Sequence, residues 1–120
     1  MVDKPLRNQA TIYVPSTTGS KSIGKTHHKT RVRNVRNWFT KRYGGSTSVH
    51  GRGSWIGKKN RTVTEDVVKV SSYTNRKIDR KAKVFKQVRV WGKKWKQESV
   101  SLEYNDKLYI LTTNGGKKNG

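Results

Sequence analysis

The fold is decided in the stretch from Gly44 to Glu65, which reads GGSTSVHGRGSWIGKKNRTVTE. It holds five of the eleven glycines in the chain. Glycine inside a strand pattern indicates a bulge or the close approach of another group. We therefore predict two short strands, 47–50 and 54–56, separated by Gly51-Arg52-Gly53. The chain leads into this stretch by a strand and a helix, and leaves it by a strand, a helix and a hairpin.

The strongest strand pattern follows the turn at 57–60 and covers residues 62–73, which are rich in β-branched side chains. The adjacent Val67 and Val68 break its strict alternation, which predicts a bulge near Asp66. Upstream, Ala10 to Val14 has the composition of a strand and is followed by Pro15.

Two apolar stripes with spacings of three and four residues predict two helices. The first begins near a Thr26 N-cap and ends at Gly44-Gly45, with a stripe of Val32, Val35, Phe39 and Tyr43. The second begins after Thr74 or Asn75, with a stripe of Ile78, Ala82, Phe85, Val88 and Trp95. Gly92 interrupts the second helix, and close contact with the sheet would be one reason for it.

A final hairpin is predicted from strands 99–104 and 107–111, joined by Asn105-Asp106. The order of elements predicts an α+β fold, the ferredoxin-like βαββαβ antiparallel sheet with two helices on one face, plus a C-terminal hairpin strand. We predict a basic N-terminal arm at 1–9, a single domain at 10–111 and a flexible tail at 112–120.

The charge balance is strongly basic: 28 Lys and Arg against 7 Asp and Glu give a net charge of +21 in 120 residues. Such a balance favours a polyanionic partner. The absence of cysteine excludes disulfides, thiolate catalysis and Cys-based zinc sites. No apolar run approaches the length of a membrane span or of a signal peptide core. We therefore predict no membrane partner and an intracellular location, in host cytoplasm or nucleus, or packaging in a virion.

The basic residues concentrate on the outer faces of the two predicted helices, which in the predicted fold form one broad surface. We predict that this surface contacts DNA or RNA phosphates without sequence specificity; a solvated face is the alternative. Trp38 lies off the main stripe and is the best candidate for stacking on a base, with core packing as its alternative. The candidate phosphate-binding residues are Lys29, Arg33, Arg36, Lys41, Arg76, Arg80, Lys83, Lys86, Lys93 and Lys94.

A second set of candidates comes from the scarce acids. Glu65 and Glu98, with His50, could hold a divalent metal for phosphodiester hydrolysis, or could be local structural salt bridges. In the predicted fold the strand of Glu65 lies beside the strand that Glu98 opens. The segment from Gly44 to Gly53 could offer backbone N–H groups to a phosphate or small nucleotide. No Rossmann, Walker or zinc-finger signature is present, and we predict no cofactor and no bound metal.

The chain resembles a family of small uncharacterised domains of bacteria, phages and other viruses. The resemblance covers roughly residues 10–111 and implies a ferredoxin-like α+β fold and a viral or phage origin, without an established activity. The matching residues are Val14-Pro15-Ser16, Gly44-Gly45-Ser46-Thr47, Gly51-Arg52-Gly53-Ser54-Trp55, Glu65 and Gln97-Glu98-Ser99-Val100.

These observations together predict a non-enzymatic, non-specific nucleic-acid-binding protein of viral or phage type. The alternatives are a virion structural or assembly protein, which contacts other virion proteins or self-associates, and a small metal-dependent phosphodiesterase or nucleotide-binding domain. The second alternative would use Glu65, Glu98 and His50.

Overall fold

The computed structural model of the chain describes residues 5–19, 21–79 and 82–113. A short 3-10 turn at Lys58–Asn60 joins the fourth and fifth strands. In chain order the elements are β1 (Asn8–Pro15), β2 (Thr17–Thr18), β3 (Lys21–Ser22), α1 (Gly24–Tyr43), β4 (Thr47–Ile56), β5 (Thr62–Thr74), α2 (Lys83–Lys94), β6 (Ser99–Tyr104) and β7 (Lys107–Thr112).

Five of the strands form one sheet in the order β4-β5-β1-β6-β7, with every neighbouring pair antiparallel. Strands β2 and β3 form a separate two-stranded ribbon between β1 and α1. The prediction of an α+β domain with an antiparallel sheet and two helices is confirmed. Strand β4 lies at one edge of the sheet, so β5 is its one neighbouring strand among the described residues.

Both helices pack on one side of the sheet, here called the helix side, because the apolar residues of each strand alternate toward it. The core joins Val35 and Phe39 of α1 to Val84, Phe85 and Val88 of α2, all of them almost completely buried. The rings of Trp38 and Trp91 touch across the two helices, with centroids 5.7 Å apart. The sheet contributes Ala10, Ile12, Val14, Val68, Val70, Val100, Leu102 and Leu111 to the same core.

The opposite side of the sheet, here called the outer side, is covered by no helix in the described part of the chain. It carries polar groups at its centre, where the Thr11 and Ser71 hydroxyl oxygens are 2.7 Å apart. Exposed apolar side chains lie toward its edges, among them Val49, Trp55, Val63, Leu108 and Ile110. Exposed apolar patches of this kind are typical of interaction surfaces, and the prediction of self-association stays a prediction.

Strand β4 is one continuous strand rather than the two short pieces predicted from its glycines. Its register with β5 is unbroken from Thr47↔Ser71 to Ile56↔Thr62, so no bulge occurs near Asp66 and that prediction is wrong. Val67 and Val68 are both buried, although they point to opposite sides of the sheet. Val67 therefore stays in register opposite Gly51 and is not moved by a bulge.

Helix α1 begins at Gly24, two residues before the predicted Thr26 cap, and its N-cap residue Ile23 makes no capping side-chain bond. It ends as predicted: Gly44 adopts a left-handed conformation, φ 93°, and donates its N–H to Thr40 O. A glycine tolerates this backbone at no steric cost, which explains the stop signal. The predicted loop before α1 also contains the β2–β3 ribbon.

Helix α2 begins at Lys83 rather than after Thr74 or Asn75, so the predicted N-terminal part of this helix is wrong. Strand β5 runs on to Thr74, and the following backbone finds partners outside any helix. Asn8 Nδ2 donates to Arg76 O, and Ile78 N donates to the Tyr104 hydroxyl. Ile78 is buried as its position in the stripe predicted, but it reaches the core from an extended segment.

The final hairpin is confirmed, with Tyr104 paired to Lys107 across the two-residue turn Asn105-Asp106. Asn105 has φ 55°, the left-handed conformation that such turns require. Its side-chain carbonyl also accepts the Gln9 N–H at 2.8 Å, which ties the hairpin to the first strand. Residues 112 and 113 are ordered parts of the sheet end, while 114–120 of the predicted tail, like 1–4 of the arm, lie outside the described residues.

Candidate active site

Strand β4 has no side chain on its outer side at Gly51 and Gly53, and this bare stretch of backbone is here called the trough. A Cβ atom built on Gly51 would meet only Val67, at 3.9 Å, and one on Gly53 would meet Val67 at 3.8 Å and the Trp55 ring at 4.0 Å. Neither glycine has a positive φ, and a Cβ at either position would make only ordinary contacts, so neither backbone conformation nor space requires glycine. Val67 lies beside Gly51 on β5 and is 8% exposed, so little of its surface is open to a ligand.

Trp55 stands at one end of this trough. Its indole is 45% exposed and follows Gly53 on the same side of the strand, because alternate residues of a strand share a side. Its neighbour Ile56 is 66% exposed and points to the other side of the strand. An exposed aromatic face beside a surface without side chains can bind a flat ring or a cation.

Glu65 provides the acid beside the trough. It pairs directly with Gly53 in the β4–β5 register and is half-buried. Its Oε2 accepts hydrogen bonds from the Ser16 N–H at 3.2 Å and the Ser16 hydroxyl at 3.4 Å. Among the residues that the structure describes, none forms an ion pair with Glu65, and its second carboxylate oxygen has no hydrogen-bond partner. The carboxylate is therefore held in position and keeps acceptor capacity.

Arg31, on helix α1, holds the chain on both sides of Ser16, the residue that binds Glu65. Its guanidinium is 8% exposed and donates to Pro15 O at 2.9 Å, Thr17 O at 2.7 Å and the Thr18 hydroxyl at 2.9 Å. It also lies over the Trp95 ring, 5.3 Å from the centroid. Burial lowers the pKa of Arg31, and the charge of Glu65 opposes that shift. Arg31 is thus a structural cation that holds the chain around Ser16, to which Glu65 is bound.

Arg31 is not among the functional residues predicted from the sequence. The signal was present, because Arg31 precedes Val35 and Phe39 at spacings of four along the buried stripe of α1. A cation on a buried stripe needs partners, and the free carbonyls after β1 supply them.

A second polar group lies further along the outer side, at its centre. The Tyr13 hydroxyl donates a hydrogen bond to the Glu103 carboxylate, and the Lys69 ammonium lies 5.2 Å from the Tyr13 ring centroid. Burial, together with the hydrogen bond and charge of Glu103, raises the pKa of Tyr13 to about 12. Tyr13 therefore stays protonated well above neutral pH and donates its hydroxyl hydrogen to Glu103.

We expect the raised pKa of Tyr13 to appear in a spectrophotometric titration of the tyrosines. Because the folded pKa lies above the ordinary value of 10, this group stabilises the fold fully below pH 10, and that contribution is lost as the pH rises toward 12. Glu103→Gln removes a charge that opposes ionisation, so this tyrosine should titrate earlier. Absorbance near 295 nm measures it, with Tyr13→Phe identifying the transition; an unchanged titration in Tyr13→Phe would contradict the assignment.

The structure does not bring together His50, Glu65 and Glu98, which were the alternative set of metal ligands. His50 pairs with Val68 and so lies toward the helix side, whereas Glu65 lies toward the outer side. Glu98 precedes β6, and β1 separates that strand from β5, so the two acids are not on neighbouring strands. Within the described ranges, no three His, Asp or Glu residues lie close enough together to hold a metal ion.

The described residues of the predicted basic surface have exposed side chains. The prediction that this surface binds nucleic acid is corrected below. Lys29, Arg33, Arg36 and Lys41 are exposed on α1, and Lys83, Lys86, Lys93 and Lys94 on α2. Arg76 is exposed in the segment after β5 instead of on a helix, and Arg80 lies outside the described residues.

Trp38 is a packing residue and not an exposed stacker. It is partly buried against the core and contacts the rings of Phe39, Tyr43 and Trp91 at 5.7 to 6.0 Å. The Arg42 guanidinium lies 5.4 Å from its ring centroid. The Trp38 ring therefore packs against other side chains of the protein.

Comparison with known proteins finds similarity in structure. No family of known sequences matches the chain, and no curated protein matches it in sequence. A phage SAM lyase in complex with S-methyl-5'-thioadenosine matches with a TM-score of 0.68 and 21% identity, over 95% of this chain and 98% of the other. A phage SAM lyase in the apo state matches with a TM-score of 0.59 and 24% identity, over 93% and 96%. The chain shares the fold of these enzymes over nearly its whole length.

The prediction of a nucleic-acid-binding protein is wrong in the light of these matches. Both of these matching structures are of phage SAM lyases, which are enzymes and not nucleic-acid-binding or virion proteins. The same finding overturns the virion structural alternative, and it gives no support to the phosphodiesterase or nucleotide-binding one. A net charge of +21 describes solubility and long-range attraction, and it does not identify what the folded surface recognises.

The location of the chain is addressed by one further finding. No helix in the described part of the chain is long and apolar enough to cross a membrane.

Proposed function

We propose that this chain is an S-adenosylmethionine (SAM) lyase. The observation that carries the proposal is the fold match to a phage SAM lyase with bound S-methyl-5'-thioadenosine, which covers 95% of this chain. S-methyl-5'-thioadenosine is the part of S-adenosylmethionine that remains when the bond from sulfur to the methionine-derived side chain breaks. The electron pair of that bond stays on sulfur, so the positive sulfonium becomes a neutral thioether. The carbon released from sulfur takes a new bond to an oxygen of the substrate's own carboxylate, so the second product is a lactone and no water is consumed.

We assign the reaction to the trough at Gly51 and Gly53, because its residue types fit this substrate. The substrate carries a flat adenine ring and a sulfonium cation, and an aromatic face binds either one. Trp55, 45% exposed, offers such a face at the end of the trough. The absence of side chains at both glycines leaves space for the ligand beside the strand.

Glu65 supplies the negative charge that allows this basic protein to bind a cationic substrate. A chain with a net charge of +21 repels a sulfonium at long range, so binding needs a local negative charge. Glu65 carries that charge, without an ion-pair partner among the described residues, and Ser16 fixes its Oε2. We propose that its second oxygen contacts the substrate and holds the sulfonium in the trough.

We extend the proposal to the finer topology. Helix α1 connects β1 to β4 with β5 between them, and α2 connects β5 to β6 with β1 between them. These two split βαβ connections support a ferredoxin-like arrangement, to which β7 adds one edge strand.

The experiment that tests the function is incubation of the purified chain with S-adenosylmethionine, followed by mass spectrometry of the small molecules. We expect S-methyl-5'-thioadenosine to form in proportion to protein concentration. Substrate alone and heat-denatured protein are the controls, because the sulfonium also decays without a catalyst. Formation no faster than in these controls, together with no binding of S-methyl-5'-thioadenosine in calorimetry, would exclude the proposal.

Trp55→Ala should weaken the binding of S-methyl-5'-thioadenosine about tenfold, because stacking of a base on an aromatic side chain contributes about 1–3 kcal/mol. The matched control is Ile56→Ala, which removes an exposed apolar side chain from the next position on the other side of the strand. Isothermal titration calorimetry measures both. Equal affinities for the two variants would show that Trp55 does not contact the ligand.

A further inference from the structure

A groove lies on the helix side of β4, and Gly51 is the residue that it shares with the trough. It has a volume of about 570 Å³ and is open to solvent. The first two turns of α1 form one wall, strands β4 and β5 the other. Its lining residues are Lys25, His28, Lys29, His50, Gly51, Arg52 and Asp66.

The lining of this groove is cationic, with two lysines and one arginine against a single acid. That acid, Asp66, forms an ion pair with Arg52 at 3.9 Å, and both side chains are 71% exposed. An exposed pair at this distance stabilises the fold little. Arg52 can therefore turn from Asp66 to a more highly charged anion at small cost.

One further feature favours an anion over other ligands. Strand β4 is the edge strand, so N–H groups on its free edge have no partner strand. His28 donates its Nε2–H to Val14 O, 3.0 Å away, so its ring is held in place and this N–H is not available to a ligand. The side-chain donors that the groove offers an anion are therefore those of its Lys and Arg residues.

We propose that this groove binds a compact multivalent anion of the phosphate class, such as inorganic pyrophosphate or triphosphate. A volume near 570 Å³ suits a small molecule. Phosphate oxygens accept charge-assisted hydrogen bonds from several cations at once. The proposal does not rest on lyase activity, because the groove and the trough lie on opposite sides of β4.

The test is calorimetric titration of the full chain with inorganic triphosphate, at constant ionic strength and without S-adenosylmethionine. Lys25→Ala with Lys29→Ala should weaken binding about tenfold or more, as expected for the loss of charged hydrogen bonds. The matched control, Lys86→Ala with Lys93→Ala, removes the same charge from α2 and should change affinity less than about threefold, because salt screens distant charges.

Asp66→Asn gives a test that misfolding cannot imitate. Removal of the one acid in the groove should tighten triphosphate binding about threefold or more. Three results would overturn the proposal: no binding of free triphosphate, equal weakening in the two lysine double variants, or no gain in Asp66→Asn. Equal weakening would mean that the diffuse charge of the chain attracts the anion without a site. Inorganic sulfate at the same concentration distinguishes a multivalent phosphate site from a general oxyanion site.

Discussion

Glu65→Gln should reduce the rate of S-methyl-5'-thioadenosine formation at low substrate by about tenfold, because it removes the negative charge that binds the cationic substrate. The rate at saturating substrate should change less, because the sulfonium loses its positive charge as the bond from sulfur to carbon breaks. The substitution keeps an oxygen that can accept from the Ser16 N–H, which Glu65 Oε2 accepts at 3.2 Å. The corner around Ser16 should therefore survive, and the loss should come from the missing charge. The measurement is the initial rate by mass spectrometry at saturating and at low substrate.

The charge of the substrate offers a sharper readout than the rate alone. S-adenosylmethionine is a sulfonium, whereas S-methyl-5'-thioadenosine is a neutral thioether. If Glu65 pairs with the sulfonium, Glu65→Gln should weaken binding of the first about tenfold, and of the second less than about threefold. A variant that is merely misfolded would lose both ligands together.

Glu98→Gln is the matched control for this experiment. Glu98 is exposed at the start of β6 and shares no strand pairing with the trough. The same change of charge there should alter the rate less than about threefold, because an exposed distant charge is screened by salt. An equal loss in both variants, or full activity in Glu65→Gln, would remove Glu65 from the proposed mechanism.

The sequence predicted most of the fold because the signals that decide it are local. The apolar stripe of α1, the glycine at its end and the Asn105-Asp106 turn each specify their own segment, and all appear in the structure. The predicted start of α2 was wrong for the opposite reason, because it depends on contacts between residues distant in sequence. Its helical stripe included Ile78, but the backbone there is held by Asn8 and Tyr104, which are distant in sequence.

The candidate site could be predicted in part. One motif of the sequence contains Gly51, Gly53, Trp55 and Glu65. All four lie on the outer side of the sheet because the β4–β5 register is unbroken. The sequence did not predict this register, because its glycines indicated a break in β4. The grouping of Glu65 with Glu98 and His50 failed, because scarcity of acids says nothing about which strands are neighbours. The resemblance to an uncharacterised family stays a prediction. The net charge led to a wrong prediction of function, because a summed charge does not say where in the fold the charged groups lie.

Gly92→Ala should destabilise the fold by about 3 kcal/mol, the upper part of the usual range for overpacking a filled core. Two effects of opposite sign compete at this helical position. Alanine favours a helix over glycine by about 1 kcal/mol. Against this, a Cβ on Gly92 would lie 2.4 Å from Thr113 Cγ2 and 2.8 Å from Val100 Cγ2, well inside contact distance. We expect the clash to dominate, because neither neighbour can move away easily.

Thr113 is held at its backbone and its side chain, since its N–H donates to Glu98 O at 2.9 Å and its hydroxyl to Gln97 O. Val100 is buried in the core. Denaturant unfolding should show the loss for Gly92→Ala, while the control Gly45→Ala, where a Cβ meets nothing within 4 Å, should change little. Thr113→Ser keeps the hydroxyl and removes Cγ2, so the double variant should recover about 1 kcal/mol or more relative to the sum of the single changes. A Gly92→Ala protein as stable as the parent would mean that α2 can shift from the sheet freely, and the close approach of this helix to β6 would then not be the reason for the glycine.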